Sequence, residues 1–429
     1  MVIAALALIA AQVAEIPWRN ALRGYDNTFN YLWLRSLWLD GDWQFLNDVQ
    51  DCPTLVGDSR TRALELIDPK TGRLLNKYGV GWAVVSVPAF AAADGLVVAG
   101  NRLGVWTLPR DGWNPVYQIC IVLWHAGLAM AALGLARACL RRFIDEPWAS
   151  VGLGTVWLAS PLPYYQMGNV GMSHGPVFFA VALAAWALLR ASEPPDRRWP
   201  WWLAGAALGL ATICRFQAAV FGLLGCWALV RCWQNSGWRR ALAAGVQMAL
   251  GAVPWLALQA LAWHVVYGHW LVFSYGAEGE SFAWLRPAVG EALFSSRHGL
   301  YYWHPLLALA TGGLGLWAWR QRGVALAGLS VVTATIYVNA AWWCWWFGAS
   351  FGSRAFDGAL LALMAGHGFL FAQAGRNGRR VLWILCGLLA AWNGYVLILY
   401  RSATIPRNDP VTWLEMLRAA PQLWHQLGF

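Results

Sequence analysis

Asp26 is the residue on which chemistry could turn. It stands in Gly24-Tyr25-Asp26, close behind a first apolar segment, and is followed by Tyr31-Leu32-Trp33-Leu34-Arg35-Ser36-Leu37. A carboxylate fixed at a membrane surface can act as a general base, taking a proton from an acceptor hydroxyl while a sugar leaves a phosphate. The same spacing also describes a solvated loop aspartate. Asp40-Gly41-Asp42, with Asn47 and Asp48 behind it, is a second cluster of acids. Carboxylates so spaced can share a divalent cation such as Mg²⁺ or Mn²⁺, which makes Asp40 and Asp42 a candidate metal pair and Asp42 a candidate substrate contact. Asp-Gly-Asp is also a common turn, and the turn is the stronger reading. No cysteine-histidine metal framework accompanies it.

The cations are the complementary half. Lys77 lies in Asn76-Lys77-Tyr78-Gly79-Val80-Gly81-Trp82 and is one of two lysines in an arginine-dominated chain. A lysine among aromatics and glycines can meet a phosphate as a point charge, with Tyr78 beside it; a snorkelling lysine is the plainer alternative. Arg215, in Ile213-Cys214-Arg215-Phe216-Gln217, separates two apolar runs. Arg354 follows Phe351-Gly352-Ser353, where it serves either a ligand or a structural pair with Asp357. Arg297 and His298 sit in Ser295-Ser296-Arg297-His298-Gly299, and His174 opens another apolar run. Ionisable groups at such places are candidates for function. Together, Lys77, Arg215, Arg297 and Arg354 suit a phosphate or diphosphate.

The elements that must hold these residues are membrane helices. Hydrophobic residues make up 59% of the 429 and charged residues 12%, against about 25% charged in a soluble domain. The mean hydropathy is +0.44. A polytopic membrane protein follows, with no room for a soluble catalytic domain. Spans are expected at about 2–17, 116–138, 148–166, 174–190, 200–214, 216–231, 241–266, 304–319, 324–342, 357–374 and 381–400. With the N-terminus in the cytoplasm, the five short loops bearing Arg137/Arg141/Arg142, Arg190/Arg197/Arg198, Arg231/Arg239/Arg240, Arg320/Arg322 and Arg376/Arg379/Arg380 all fall inside, as the positive-inside rule requires. The loops 18–115 and 267–303 then lie outside, with every candidate above. Residues 82–100 are apolar, but counting them as a span would put every arginine cluster outside. They read as a helix at the interface. The net charge of +10 is thus a topology signal and implies no nucleic acid. Cys52 and Cys344 are the pair that an oxidising compartment could join.

Taken together, Tyr25-Asp26, Arg35-Ser36-Leu37, Asp40-Gly41-Asp42, Asn76-Lys77-Tyr78, Arg215-Phe216-Gln217, Ser295-Ser296-Arg297-His298-Gly299-Leu300 and Phe351-Gly352-Ser353-Arg354 resemble, in collinear order, the GT-C superfamily of integral membrane glycosyltransferases. The likeness is to the bacterial branch of protein O-mannosyltransferases and aminoarabinose transferases. The resemblance implies an all-α bundle of about eleven transmembrane helices over 1–429, with juxtamembrane helices in the first outer loop. It implies a bacterial inner-membrane enzyme with an extracytoplasmic site and an inverting transfer from a polyprenyl-phosphate-linked sugar to an envelope acceptor. Asp26 would be the base and Lys77 would hold the donor phosphate. Gly79 departs from the family, where proline is frequent, and would loosen the loop that carries Lys77.

Two other readings stay open. A ligase or polymerase of diphosphate-linked glycans would use the loop 267–303. A secondary transporter would need ionisable groups near the midplane, for which His125 and His367 are candidates, but no inverted repeat is apparent.

Overall fold

The computed structural model describes residues 1–16, 20–193 and 197–426. Hydrocarbon offers the backbone no water, so apolar segments close their hydrogen bonds internally as helices. Among the described residues, thirteen helices have eleven residues or more. They are α1 (Val2–Glu15), α2 (Tyr25–Arg35), α3 (Gly81–Arg102), α4 (Pro115–Leu140), α5 (Trp148–Leu158), α6 (His174–Ala191), α7 (Trp199–Cys214), α8 (Gly222–Ser236), α9 (Trp238–Tyr267), α10 (Leu306–Arg320), α11 (Val324–Ala341), α12 (Leu360–Gln373) and α13 (Arg376–Arg401). Extended pairing is confined to two isolated bridges there, Ile67 with Leu74 and Phe282 with Trp342.

Eleven of these helices fill the eleven expected spans. α4, α6, α9, α11 and α13, with α8 and α12 extended by the 3-10 turns before them, are long and apolar enough to cross a membrane. α1, α5, α7 and α10 have 14, 11, 16 and 15 residues, short of the roughly 20 that a helical crossing needs. α5 is followed by a π-helical turn, Tyr164–Gly168, whose five residues are all buried. Irregular backbone at depth is tolerated when protein surrounds it. Local signals set the ends. Asn114 caps α4 through Val116 N at 3.0 Å, with Pro115 in the first turn, and Gly268 closes α9 in the left-handed conformation.

α3 is also long and apolar enough to cross, yet it is placed beside the outer ends of other helices. A Cβ on Gly81 at its start would lie 2.4 Å from Cys214 N at the end of α7. Its side chains then meet α4 in reverse order, Ser86 with His125 at 2.9 Å and Asp94 with Tyr117 at 2.7 Å. It therefore runs outward from the end of α7 and passes the start of α4, away from the arginine-bearing ends. Asp94 is held by Arg110 through both oxygens at 2.7 Å and by Trp38 at 3.1 Å.

Small residues let the spans approach closely, as is usual for helices in lipid. A Cβ on Gly205 of α7 would stand 1.9 Å from Met248 O of α9, and one on Gly251 would stand 2.2 Å from Trp202 O. On the outer side, buried Arg35 of α2 pairs with fully buried Asp48 and donates to Asp111 O at 2.8 Å. Burial pushes the Asp48 carboxyl up to about 6 against the opposing pull of Arg35. Arg35 thus serves the architecture of the first loop. The loop 267–303 is tied to the end of α11 by Ala283 N to Ala341 O at 2.6 Å and Trp343 N to Ser281 O at 3.1 Å. Cys52 and Cys344 are both free, without the considered disulfide.

The two faces inferred from charge are therefore also opposite ends of the bundle. With the native cysteines replaced, single cysteines at exposed Ser59 and Ser236 should react with a membrane-impermeant reagent from opposite sides. Labelling of both from one side would reverse the assignment for one of the two loops.

Candidate active site

Asp26 lies in the first turn of α2, which the ring stacking of Tyr25 on Phe29 at 4.4 Å anchors to the aromatic core of the loop. Both its oxygens are engaged. The Tyr78 hydroxyl donates to Oδ1 at 2.6 Å and Arg354 Nη2 to Oδ2 at 2.9 Å. Arg354 is thus partnered across 328 positions by Asp26 rather than by its sequence neighbour Asp357. Burial opposes the charge on Asp26, but Arg354, the Tyr78 hydroxyl and Lys77 outweigh it and hold the carboxyl below its usual range. Burial and the adjoining carboxylate keep the Tyr78 hydroxyl protonated.

Lys77 is clamped by two acids that the sequence reading passed over. Its Nζ lies 2.9 Å from Glu278 Oε2 and 2.7 Å from Glu280 Oε1. The rings of Tyr25, Tyr78 and Tyr275 surround the ammonium with centroids at 5.6, 5.7 and 5.6 Å. Burial disfavours the charge on Lys77, yet the two glutamates raise its affinity for the proton. The supporting loop is firmly set. Ser274 Oγ donates to Lys77 O at 2.7 Å, Asn76 Nδ2 to Phe29 O at 2.8 Å, and Val80 N to Gln259 Oε1 at 2.9 Å. Gly79 tightens this loop instead of loosening it. A Cβ there would fall 2.0 Å from Ile213 O, so only glycine lets the loop press against the end of α7.

Behind this pair lies a second group. Asp357 abuts the ring of His174, and Arg215 Nη1 stands 2.8 Å from His174 Nε2, all three near the outer ends of α6, α7 and α12. Arg354 is aimed by the turn before it. Gly352 adopts φ +59°, where a Cβ would meet His304 Nε2 at 2.0 Å.

Four predicted residues have other surroundings. Asp42 accepts from Ser36 Oγ at 3.0 Å and Gln44 N at 2.9 Å, and Asp40 accepts from Asn47 Nδ2 at 3.1 Å. These are turn bonds, and among the described residues no group of three His, Cys, Asp or Glu is placed to hold a metal. Arg297 donates to Asn408 O at 2.7 Å and stacks on Trp346 at 3.9 Å, which fastens the C-terminal segment. Buried His298, beside it, bonds Trp346 O at 2.9 Å, and burial lowers its pKa to about 4. The transporter candidates are core histidines. His125 meets Ser86, and His367 meets Cys386 Sγ at 3.3 Å.

An apolar cleft of about 750 Å³ adjoins the site, walled by Phe216, Trp263, Phe273, Tyr275, Phe282 and Trp342. Tyr275 belongs to both places. One side faces the Lys77 ammonium, and its ring meets Trp342 at 5.5 Å and Phe216 at 6.2 Å.

No protein-family model and no curated protein sequence matches the chain. Solved structures do. ArnT from Cupriavidus metallidurans bound to undecaprenyl phosphate superposes with a TM-score of 0.54 at 16% identity, over 98% of this chain and 69% of that one. ArnT from the same organism in the apo state gives a TM-score of 0.50 at 17% identity, over 97% and 68%. At such identity the likeness is one of fold. The helical architecture of the described residues is similar to that of ArnT.

Proposed function

We propose that the protein transfers a sugar from a polyprenyl-phosphate donor to an envelope acceptor at the extracytoplasmic membrane face, with inversion at the anomeric carbon. The observation that carries this reading is the wall shared at Tyr275. The Lys77 ammonium, in an aromatic seat and held by two glutamates, stands against an apolar cleft. A phosphate joined to a long isoprenoid needs that juxtaposition, because its head is charged and its tail must stay out of water. ArnT, whose fold this chain shares, has been captured with undecaprenyl phosphate.

In this mechanism the donor phosphate displaces Glu278 and Glu280 from Lys77 and draws Arg354 from Asp26. Loss of its cation raises the affinity of Asp26 for a proton, so the carboxylate becomes a better base when donor is present. The acceptor hydroxyl oxygen forms a bond to the anomeric carbon as the bond from that carbon to the phosphate oxygen breaks. The hydroxyl proton passes to Asp26, and the electron pair leaves with polyprenyl phosphate. Lys77 and Arg354 stabilise the charge that grows on the leaving group.

Asp26→Asn keeps size and removes the base. Turnover should fall about 10²–10⁴-fold with donor binding retained, whereas Asp42→Asn, which only loosens a turn, should stay near wild type. Near-normal turnover in folded Asp26→Asn protein would remove Asp26 from the role. Lys77→Ala should weaken donor binding on the order of tenfold or more, the scale of a charge-assisted contact. Titration of a polyprenyl phosphate against purified protein reads this, and unchanged affinity with a lowered melting point would make Lys77 a structural cation. The pH profile supplies a third check. The donor-free Asp26 is held below the ordinary carboxylate range partly by Tyr78. Activity in kcat/KM should therefore persist to low pH and decline as Asp26 protonates. Tyr78→Phe should move that acidic limb upward; an unmoved limb would show that it belongs to another group.

A further inference from the structure

The arginine-bearing end of the bundle holds a cleft that the proposed transfer does not use. It opens among the ends of α6 and α8 and the starts of α7 and α9, with a volume of about 460 Å³. Arg197, Arg198, Arg231 and Arg240 reach its walls from three separate stretches of chain. The carboxylate of the described lining, Glu193, is already engaged by Arg190 at 3.1 Å and by Arg142. The guanidiniums of Arg197, Arg198 and Arg231 thus line a cavity whose described acid is committed elsewhere.

The depth of the cleft identifies its surroundings. α7 has 16 residues between this end and Arg215, a rise of about 24 Å, so the cleft and the Asp26 site lie near opposite membrane surfaces. Trp199, Trp202, Trp233 and Trp238 are exposed around it, as tryptophans at headgroup level are. Trp201, Ala228 and Ala244, which belong to one cluster, give the cleft an apolar wall. Gln247 also lines it, and its Oε1 is buried without a partner. It lies seven residues beyond Arg240, about 10 Å further into the bundle. The charge rule explains why arginines occur in these loops, but it does not require them to line a cavity with an apolar wall and a polar group toward its inner end.

We propose that this cleft binds the headgroup of an anionic phospholipid from the leaflet on the arginine-rich side. The phosphodiester lies among Arg197, Arg198 and Arg231, the glycerol region reaches the amide of Gln247, and the acyl chains leave along the apolar wall. Basic pockets between transmembrane helices suit such headgroups. The lipid would fill the gap between two helix pairs without touching the reaction.

Native mass spectrometry of the full chain in detergent, titrated with phosphatidylglycerol, phosphatidylcholine or inorganic phosphate, tests this directly. Wild type should retain phosphatidylglycerol in preference to phosphatidylcholine. R197Q/R198Q/R231Q should weaken that binding on the order of a hundredfold, at about fivefold per arginine near the membrane surface. R239Q/R320Q/R322Q, with the same change in charge outside the cleft, should bind as wild type does. If the triple variant gives no folded protein, R198Q and R231Q singly should each show the roughly fivefold loss. Equal retention of phosphatidylcholine would overturn the proposal, as would an equal loss in the control variant. Occupancy by inorganic phosphate that blocks the lipid would make the cleft a site for a soluble anion instead.

Discussion

The pairing of Asp26 with Arg354 is the contact on which the outer end of the molecule is arranged. Arg354 is largely buried and Asp26 partly so, and each satisfies the charge of the other. To bring them together, the first outer loop must fold back over the bundle and meet the turn before α12. Tyr78 fixes the second oxygen of Asp26, so the loop 76–80 is located by the same carboxylate. That loop in turn rests on the end of α7 through Gly79 and on α9 through Gln259. Asp26 and its partners therefore link α2, the loop before α3, and the turn before α12, while Gly79 and Val80 join that loop to α7 and α9.

The second constraint is the competition for Lys77. Glu278 and Glu280 satisfy the ammonium while three tyrosine rings surround it. A seat of this kind is stable when empty. The donor is a phosphodiester with a single charge, so its gain over the glutamates would come from the isoprenoid that enters the adjoining apolar cleft, and the polyprenyl phosphate that leaves would carry the extra charge that Lys77 stabilises. Because the glutamates come from the loop 267–303, occupation of Lys77 and the position of that loop are linked. The two long outer loops act on one cation.

Much of this was legible from residue types and order. The helices emerged from apolar runs, and the arginine clusters gather at one end of them, whereas residues 82–100, expected at the interface, form a helix that is itself long and apolar enough to cross. Asp26, Lys77, Arg215, Arg354 and His174 stood out as polar groups at span ends, and the structure gathers all five at one end. Arg297 stood out for the same reason and proved to secure the C-terminal segment. Asp42 stood out for its spacing and proved to be a turn. Glu278 and Glu280 drew no attention, because acids in an outer loop look solvated until the lysine they hold is known. Gly79 was misjudged for a related reason. A missing side chain reads as slack unless the backbone pressed against it can be seen.

The amino-acid sequence by itself determined that the chain is built of apolar helices suited to a membrane and that its short arginine-bearing loops gather away from the candidate site. Those outcomes depend on local transfer free energies, which each segment settles independently. Only the tertiary structure decided which charge meets which. Ion pairing depends on distances between segments hundreds of residues apart, and a linear pattern carries no such distance. Hence Arg354 answers Asp26 and not Asp357, Lys77 waits between two glutamates, and four arginines from separate loops enclose one cleft on the opposite side.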